Sequence, residues 1–292
     1  MGGRQPSLDL LGPDEQVIRV LAFVLLLGVL TGCSGGDDDK PQVSPTTATP
    51  TSHGKPATAA PRPRTGQCYR LSYDDALAPT ATRKPVSCTR DHTGRTFYVG
   101  RLSTVVDGHL LAVDSRRVRA QVASECPRRF ASYVGGSTEQ RRLSMLATAW
   151  FSPTLQQSDR GQSWFRCDLI ALAGPGRLAS LTGGLKKVLD SSRGRERWAR
   201  CATGKPGTKG SEHVLCSRDD AWHAVSTIEV KAGRKGAWPG EAAAKSAGDR
   251  CEDEVQAVAA DPLSFSWGYE WPTRRQWNAG QHYGICWAPK GN

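Results

Sequence analysis

The sequence predicts an α+β protein of two tandem modules, each with mainly antiparallel strands and one principal helix, and each stapled by disulfides. The first observation is an internal repeat. SPTLQQSDRGQSWFRC, ending at Cys167, aligns without a gap with WPTRRQWNAGQHYGIC, ending at Cys286. Both carry Pro-Thr, then Gln, then Gly-Gln, and close on Cys. The second observation is cysteine spacing. Cys68, Cys88, Cys126 and Cys167 are separated by 20, 38 and 41 positions, and Cys201, Cys216, Cys251 and Cys286 by 15, 35 and 35. The third is the alternation of period-two apolar stretches with one helix-spaced stretch per module.

Taken in chain order, residues 1–33 read as an export signal. Val20 to Leu30, VLAFVLLLGVL, is an eleven-residue apolar run after Arg4 and Arg19. It is too short to span a bilayer, which needs about 20 residues, and suits the core of a secretory signal. It ends in Leu30-Thr31-Gly32-Cys33, which resembles the bacterial lipobox. That resemblance implies cleavage before Cys33 and lipid on its sulfur, and two acyl chains suffice for stable anchoring. Residues 34–65 are rich in Pro, Thr and Ala without apolar periodicity. Such a segment cannot bury enough surface to offset chain entropy, and its prolines favour an extended stalk. The modules follow at 66–185 and 186–292.

In the first module, Phe97 to Leu102 reads as a strand. Val118, Val122, Cys126, Phe130 and Val134 then fall on one helical face, with Pro127 expected to kink or restart the helix. Leu143, Met145, Ala147 and Ala149 alternate as a strand. A turn at Pro-Thr follows, then a strand with Phe165, Cys167, Leu169 and Ala171 on one face. Gly174, Pro175 and Gly176 break the chain before a short helix. In the second module, His223 to Val230 reads as a strand. Ala244, Ala247, Cys251, Val255 and Val258 share a face of a helix from Glu241 to Ala259, and Phe265, Trp267, Tyr269 and Trp271 alternate as a strand. Those aromatics are either a ligand surface or packing within or between modules, and packing is the expectation.

Beyond Cys33 the cysteines number eight, an even count in an exported chain, the setting for disulfides. Structural zinc favours pairs two to four residues apart, and no such pair exists. Within-module pairing leaves three connectivities per module; first with second and third with fourth is the expected one.

Gly66-Gln67-Cys68, Val86 to His92, Leu181 to Leu185, and the terminal Pro272, Trp277, Gly280 and Cys286 resemble the septum-formation-related domain proteins of actinobacteria. The likeness covers Gly66 to Ala288, and implies an exported, membrane-attached protein connected with cell division. It departs from the family pattern at Cys88-Thr89-Arg90-Asp91-His92 and at Gly183-Gly184.

The chain carries no spaced metalloprotease histidines, nucleophile elbow, phosphate-binding loop or calcium loop. No cofactor or metal is expected. Asp91 and His92 are the best acid–base pair, and an envelope hydrolase using them is the alternative to a non-enzymatic binding or scaffolding lipoprotein. A turn-stabilising His92 is the simpler expectation. The net charge is +11, from 39 basic and 28 acidic residues. Arg116, Arg117 and Arg119 form a cluster suited to an anionic wall polymer or lipid headgroup, or to an envelope protein. The outer face of the cytoplasmic membrane excludes cytoplasmic nucleic acid as a partner.

Overall fold

The computed structural model describes residues 62–217 and 221–291. The signal, Cys33 and most of the stalk lie outside the described residues. The first half runs β1 (Cys68–Tyr69), α1 (Tyr73–Leu77), β2 (Gly94–Arg101), β3 (Val105–Val106), β4 (His109–Leu110), α2 (Arg116–Val134), α3 (Thr138–Arg142), β5 (Leu146–Phe151), α4 (Leu155–Asp159), β6 (Trp164–Gly174) and β7 (Arg177–Leu178). A 3-10 turn at Val188–Asp190 leads into α5 (Ser192–Arg197). The second half is β8 (Arg200–Ala202), β9 (His213–Leu215), β10 (Trp222–Glu229), α6 (Glu241–Ser246), α7 (Arg250–Gln256), β11 (Gly268–Glu270), α8 (Arg274–Asn278) and β12 (Tyr283–Pro289).

The two main sheets repeat one topology. The first is ordered β1-β2-β6-β5, with β7 added to β6; the second is β9-β8-β10-β12-β11. All named pairings are antiparallel. Register makes the correspondence residue by residue. Tyr98 faces Cys167 and Ser226 faces Cys286, and in both sheets a bulge lies one step earlier, at Phe97 and at Val225. Val86 bridges Cys68 where Val214 pairs with Cys201. A bulge adds a residue and sharpens local twist. Here each bulged side chain turns into the cluster around its helix–sheet disulfide.

The repeated Pro-Thr stretch holds a capping box. Thr154 Oγ1 accepts from the Gln157 N–H at 3.2 Å, and the Gln157 side chain accepts from the Thr154 N–H at 2.9 Å. Thr273 and Gln276 do the same at 3.2 and 2.8 Å. Each box starts a one-turn helix whose orphan donors are thereby satisfied. The repeated glycines, Gly161 and Gly280, then take φ of 82° and 96°, a left-handed stop that only glycine adopts without strain. What the sequence suggests as a turn is thus a capped helical turn aiming the chain into the strand of the fourth cysteine.

The four bridges are Cys68–Cys88, Cys126–Cys167, Cys201–Cys216 and Cys251–Cys286, the expected pairing. The second and fourth pin helix to sheet, and all four of their cysteines are fully buried. Val118, Val122, Cys126 and Val134 face the core, with Phe130 packed against it, and Phe165, Cys167, Leu169 and Ala171 meet them from β6.

Four expectations are corrected. The helix α2 continues through Pro127. That residue is exposed, so its ring meets water rather than core, and the adjacent Cys126 bridge and buried valines hold the helix against a local cost of about 3 kcal/mol. The second helix is divided by a 3-10 turn at Ala247–Asp249 and ends at Gln256, leaving Val258 62% exposed. Of the Phe265–Trp271 stretch only Gly268–Glu270 pairs as strand; Phe265, Trp267 and Tyr269 pack on the Cys251–Cys286 cluster. Leu143 caps α3, and its side chain packs with Ala202, Ile285 and Trp287.

That last contact shows how the halves interlock. Leu143 enters the second core while Trp198 and Leu215 enter the first. Between them the backbones pair: the Met145 N–H donates to the Trp198 carbonyl at 2.8 Å and the Arg200 N–H to Leu143 at 2.9 Å. Glu139 accepts from the Thr227 N–H at 2.8 Å and from the Ser226 hydroxyl at 3.2 Å. The halves are one interdigitated body.

Candidate functional site

Asp91 and His92 each hydrogen-bond to the chain around them. His92 is buried, and its Nδ1 lies 2.8 Å from the Arg90 carbonyl, closing its own turn. The His92 carbonyl accepts from the Leu181 N–H at 2.8 Å. Asp91 accepts from the Ser180 hydroxyl, and its carbonyl from Arg70 Nε at 2.9 Å. The pair ties the Cys88 loop to the segment after β7. The Leu181 to Leu185 motif has the same role, since both leucines are buried in the first core.

The arginine cluster sits in the first turns of α2. Arg116 and Arg117 are exposed and Arg119 is half-buried. Arg117 reaches Asp107 at 2.7 Å. That aspartate is at the tip of the β3–β4 hairpin, whose φ of 52° at Asp107 and 78° at Gly108 makes a tight turn. Across the hairpin Val105 pairs with Leu110, and the two are 58% and 79% exposed. No acidic residue stands in the first turn of α2. Cations at a helix N-terminus oppose the macrodipole by a few tenths of a kcal/mol each. These arginines lie beside an exposed apolar pair.

Two clusters went unassigned in the sequence. The first joins the edges of the second sheet. His213 on β9 and Glu270 on β11 stand at opposite ends of a five-strand order, yet Nε2 and Oε2 are 2.7 Å apart. Four strand spacings of about 4.8 Å would hold flat edges roughly 19 Å apart, so the sheet curls until its edges meet. Arg200 approaches His213 Nδ1 at 3.4 Å, and the buried Trp287 ring lies 5.1 Å from the imidazole. Burial alone would raise the Glu270 carboxyl, but His213 and Arg200 overcome it and hold it below the usual carboxylate range.

The second cluster is Cys201, Cys216 and His223, whose ligating atoms lie within 4.8 Å of one another. The two sulfurs are joined as a disulfide and have no thiolates to offer a metal. The first module has a buried charged pair instead. Arg166 and Asp168 approach to 3.1 Å, with Thr96 Oγ1 donating to Asp168 at 2.7 Å. The guanidinium is stacked between Tyr69, 3.7 Å from the ring centre, and Phe151 at 4.6 Å. Strand alternation hides all of these from sequence inspection. Residues on the sheet face away from the helix read as solvent positions until a second layer is known to cover them.

The model of the septum formation family matches the chain twice, over residues 39–153 and 142–286. The chain belongs to the septum formation family. No curated protein and no solved structure matches it significantly. Among the described residues, no helix is long and apolar enough to cross a membrane.

Proposed function

We propose that this septum formation family member is a membrane-anchored, extracytoplasmic lipoprotein that acts as a non-enzymatic binding or scaffolding module of the cell envelope during division. The observation that carries the reading is that Asp91 and His92, the acid–base candidates, are hydrogen-bonded into the fold and no cysteine among the described residues is a free thiol. Every cysteine from Cys68 onward is in a disulfide, which suits an oxidising compartment; His92 is bound into its own turn and Asp91 to Ser180. Anchoring at Cys33 rests on the lipobox. The binding surface is assigned to Arg116, Arg117 and Arg119 with the β3–β4 hairpin, and its partner to an anionic wall polymer or an envelope protein. Charge-assisted hydrogen bonds from arginine suit phosphate or carboxylate.

The test is complementation of a deletion strain. Cys33→Ala should leave membranes or accumulate as an uncleaved precursor without fatty-acid label. Reversal of Arg116, Arg117 and Arg119 to glutamate should impair function, and His92→Ala should not. Failure of a folded, exported His92→Ala would instead support an envelope hydrolase. Full function of the charge-reversed variant would remove the arginines from the binding surface.

A further inference from the structure

The four disulfides fall into two groups. Cys126–Cys167 and Cys251–Cys286 are wholly buried. Cys68–Cys88 and Cys201–Cys216 each join a buried cysteine to one at the surface: Cys88 is exposed and Cys216 half-buried. A thiol in solution reaches only these two. On access alone Cys68–Cys88 would react first.

Their hydrogen-bonding neighbours differ. Beside the first bridge is the Gly66 carbonyl oxygen, 3.3 Å from Cys88 Sγ and 3.9 Å from Cys68 Sγ. A carbonyl oxygen is the negative end of its dipole, and opposes a thiolate forming there. Beside the second is His223 Nδ1, 3.2 Å from Cys201 Sγ and 3.9 Å from Cys216 Sγ. Register fixes this contact, because His223 stands directly opposite Cys201 across β8 and β10. The residue opposite Cys68 is Arg95, whose guanidinium has no proton to give up.

We infer that Cys201–Cys216 is a thiol–disulfide exchange site for a dithiol partner, with His223 as the acid that serves its leaving sulfur. The partner's thiolate attacks Cys216 Sγ, the more accessible sulfur. A new S–S bond forms between partner and Cys216, the Cys201–Cys216 bond breaks, and its electron pair leaves on Cys201 Sγ. Where His223 Nδ1, 3.2 Å from that sulfur, carries a proton, the proton passes to the sulfur as the bond breaks. The partner's second thiolate then attacks the partner sulfur of the mixed disulfide and releases Cys216. The dithiol ends oxidised, and the cysteine pair has gained two electrons and two protons. A sulfur that is protonated as it leaves departs more readily than one that must leave as a bare thiolate.

The experiment treats the full chain in detergent with limiting dithiothreitol, followed by acid quench, alkylation and peptide mass spectrometry. Cys201 and Cys216 should be alkylated first, ahead of the more exposed Cys68 and Cys88. In His223→Ala the opening of Cys201–Cys216, measured against Cys68–Cys88 in the same molecules, should slow severalfold. Prior opening of Cys68–Cys88 in the natural chain would overturn the inference, as would an unchanged ratio in His223→Ala. If His223→Ala misfolds, seen as alkylation of the buried Cys126, Cys167, Cys251 and Cys286, the order in the natural chain and the ratio in His223→Gln decide it.

Discussion

The buried Arg166–Asp168 pair gives the sharpest energetic test. Arg166 is 3% and Asp168 0% exposed, so neither charge is solvated. At 3.1 Å and an effective dielectric of about 20, the attraction is on the order of 5 kcal/mol. Desolvation costs several kcal/mol per ion, so the pair roughly cancels its own cost. The closest oxygen–nitrogen approach is not aligned as a hydrogen bond, which weakens the favourable side further. Removing one partner strands the other, and Asp168→Asn or Arg166→Met should each cost about 3–5 kcal/mol. Removing both should cost little. The corresponding positions of the second module show why, since Ile285 and Trp287 stand there and are buried. The double variant Arg166→Met with Asp168→Leu should therefore fall within about 1 kcal/mol of the natural chain, read from urea midpoints at constant m. A double variant as destabilised as the sum of the singles would refute the reasoning. The pH dependence follows from the same burial, which pushes the Asp168 carboxyl up to about 6 against the opposing pull of Arg166 and Thr96. Between about pH 4 and 6 the folded chain holds a proton that the unfolded chain has released. Stability therefore falls as pH rises through that window, by roughly 3 kcal/mol for two units. The full drop is reached above pH 6, and Asp168→Asn should abolish that slope.

Three further outcomes follow from the packing. Tyr269 lies between Gly248 and Gly284, where an added Cβ would come within 2.2 and 2.3 Å of the ring; Gly284→Ala should cost about 1–3 kcal/mol through overpacking, and unchanged thermal unfolding would contradict it. Glu139 accepts three bonds from Ser226 and Thr227, so Glu139→Ala should destabilise by about 1–3 kcal/mol through the orphaned donors, and proteolysis between α3 and α5 should accelerate. Thr154→Ala and Thr273→Ala each lose one capping box, at about 1 kcal/mol apiece; equal effects in denaturant titration are expected because the boxes are equivalent, and a null effect for either would show that its cap carries no stability.

The repeat, the disulfide pairing, the helix α2 and the β6 face were legible because each follows one periodicity or one covalent constraint. Val118, Val122 and Cys126 announce a helical face, and cysteine order announces the staples. The ends of the second helix were not legible. Alanine continues a helix on propensity alone, while the 3-10 turn at Ala247–Asp249 lies where the Tyr269 ring, twenty-one residues from Gly248 in sequence, leaves no room for a Cβ at Gly248. The strand at Phe265 was overextended for a related reason. Alternating aromatics satisfy the period-two pattern, but Phe265 and Trp267 obtain their burial from the Cys251–Cys286 cluster without ladder hydrogen bonds. His213 and Glu270 were beyond reach, because only the curl of the sheet brings its two edges together.

The two family matches overlap at residues 142–153, and the fold explains why neither half can be cut free there. The first sheet depends on β6, Trp164 to Gly174, which stands between β2 and β5 and lies beyond residue 153. A chain ending after Phe151 keeps α2 but loses its covalent attachment to the sheet, since Cys126 pairs with Cys167. The apolar face of β6 is lost with it, and Phe165, Leu169 and Ala171 form the floor on which Val118 and Val122 rest. Extending the fragment to Leu185 restores the strand and the bridge but still omits Trp198 and Leu215, two side chains from the second half that pack in the first core. Loss of a buried tryptophan costs about 3–5 kcal/mol, comparable to the entropic contribution of a disulfide closing a loop of this size, about 4 kcal/mol. Fragment 62–153 should therefore be unfolded by circular dichroism, with Cys126 fully alkylated. Fragment 62–185 should be marginal, and fragment 62–217 should be the shortest of the three to protect Cys126 and Cys167 from alkylation under mild reduction. Protection already complete in fragment 62–153 would mean that the sheet does not need β6, and the interlocked architecture would be wrong.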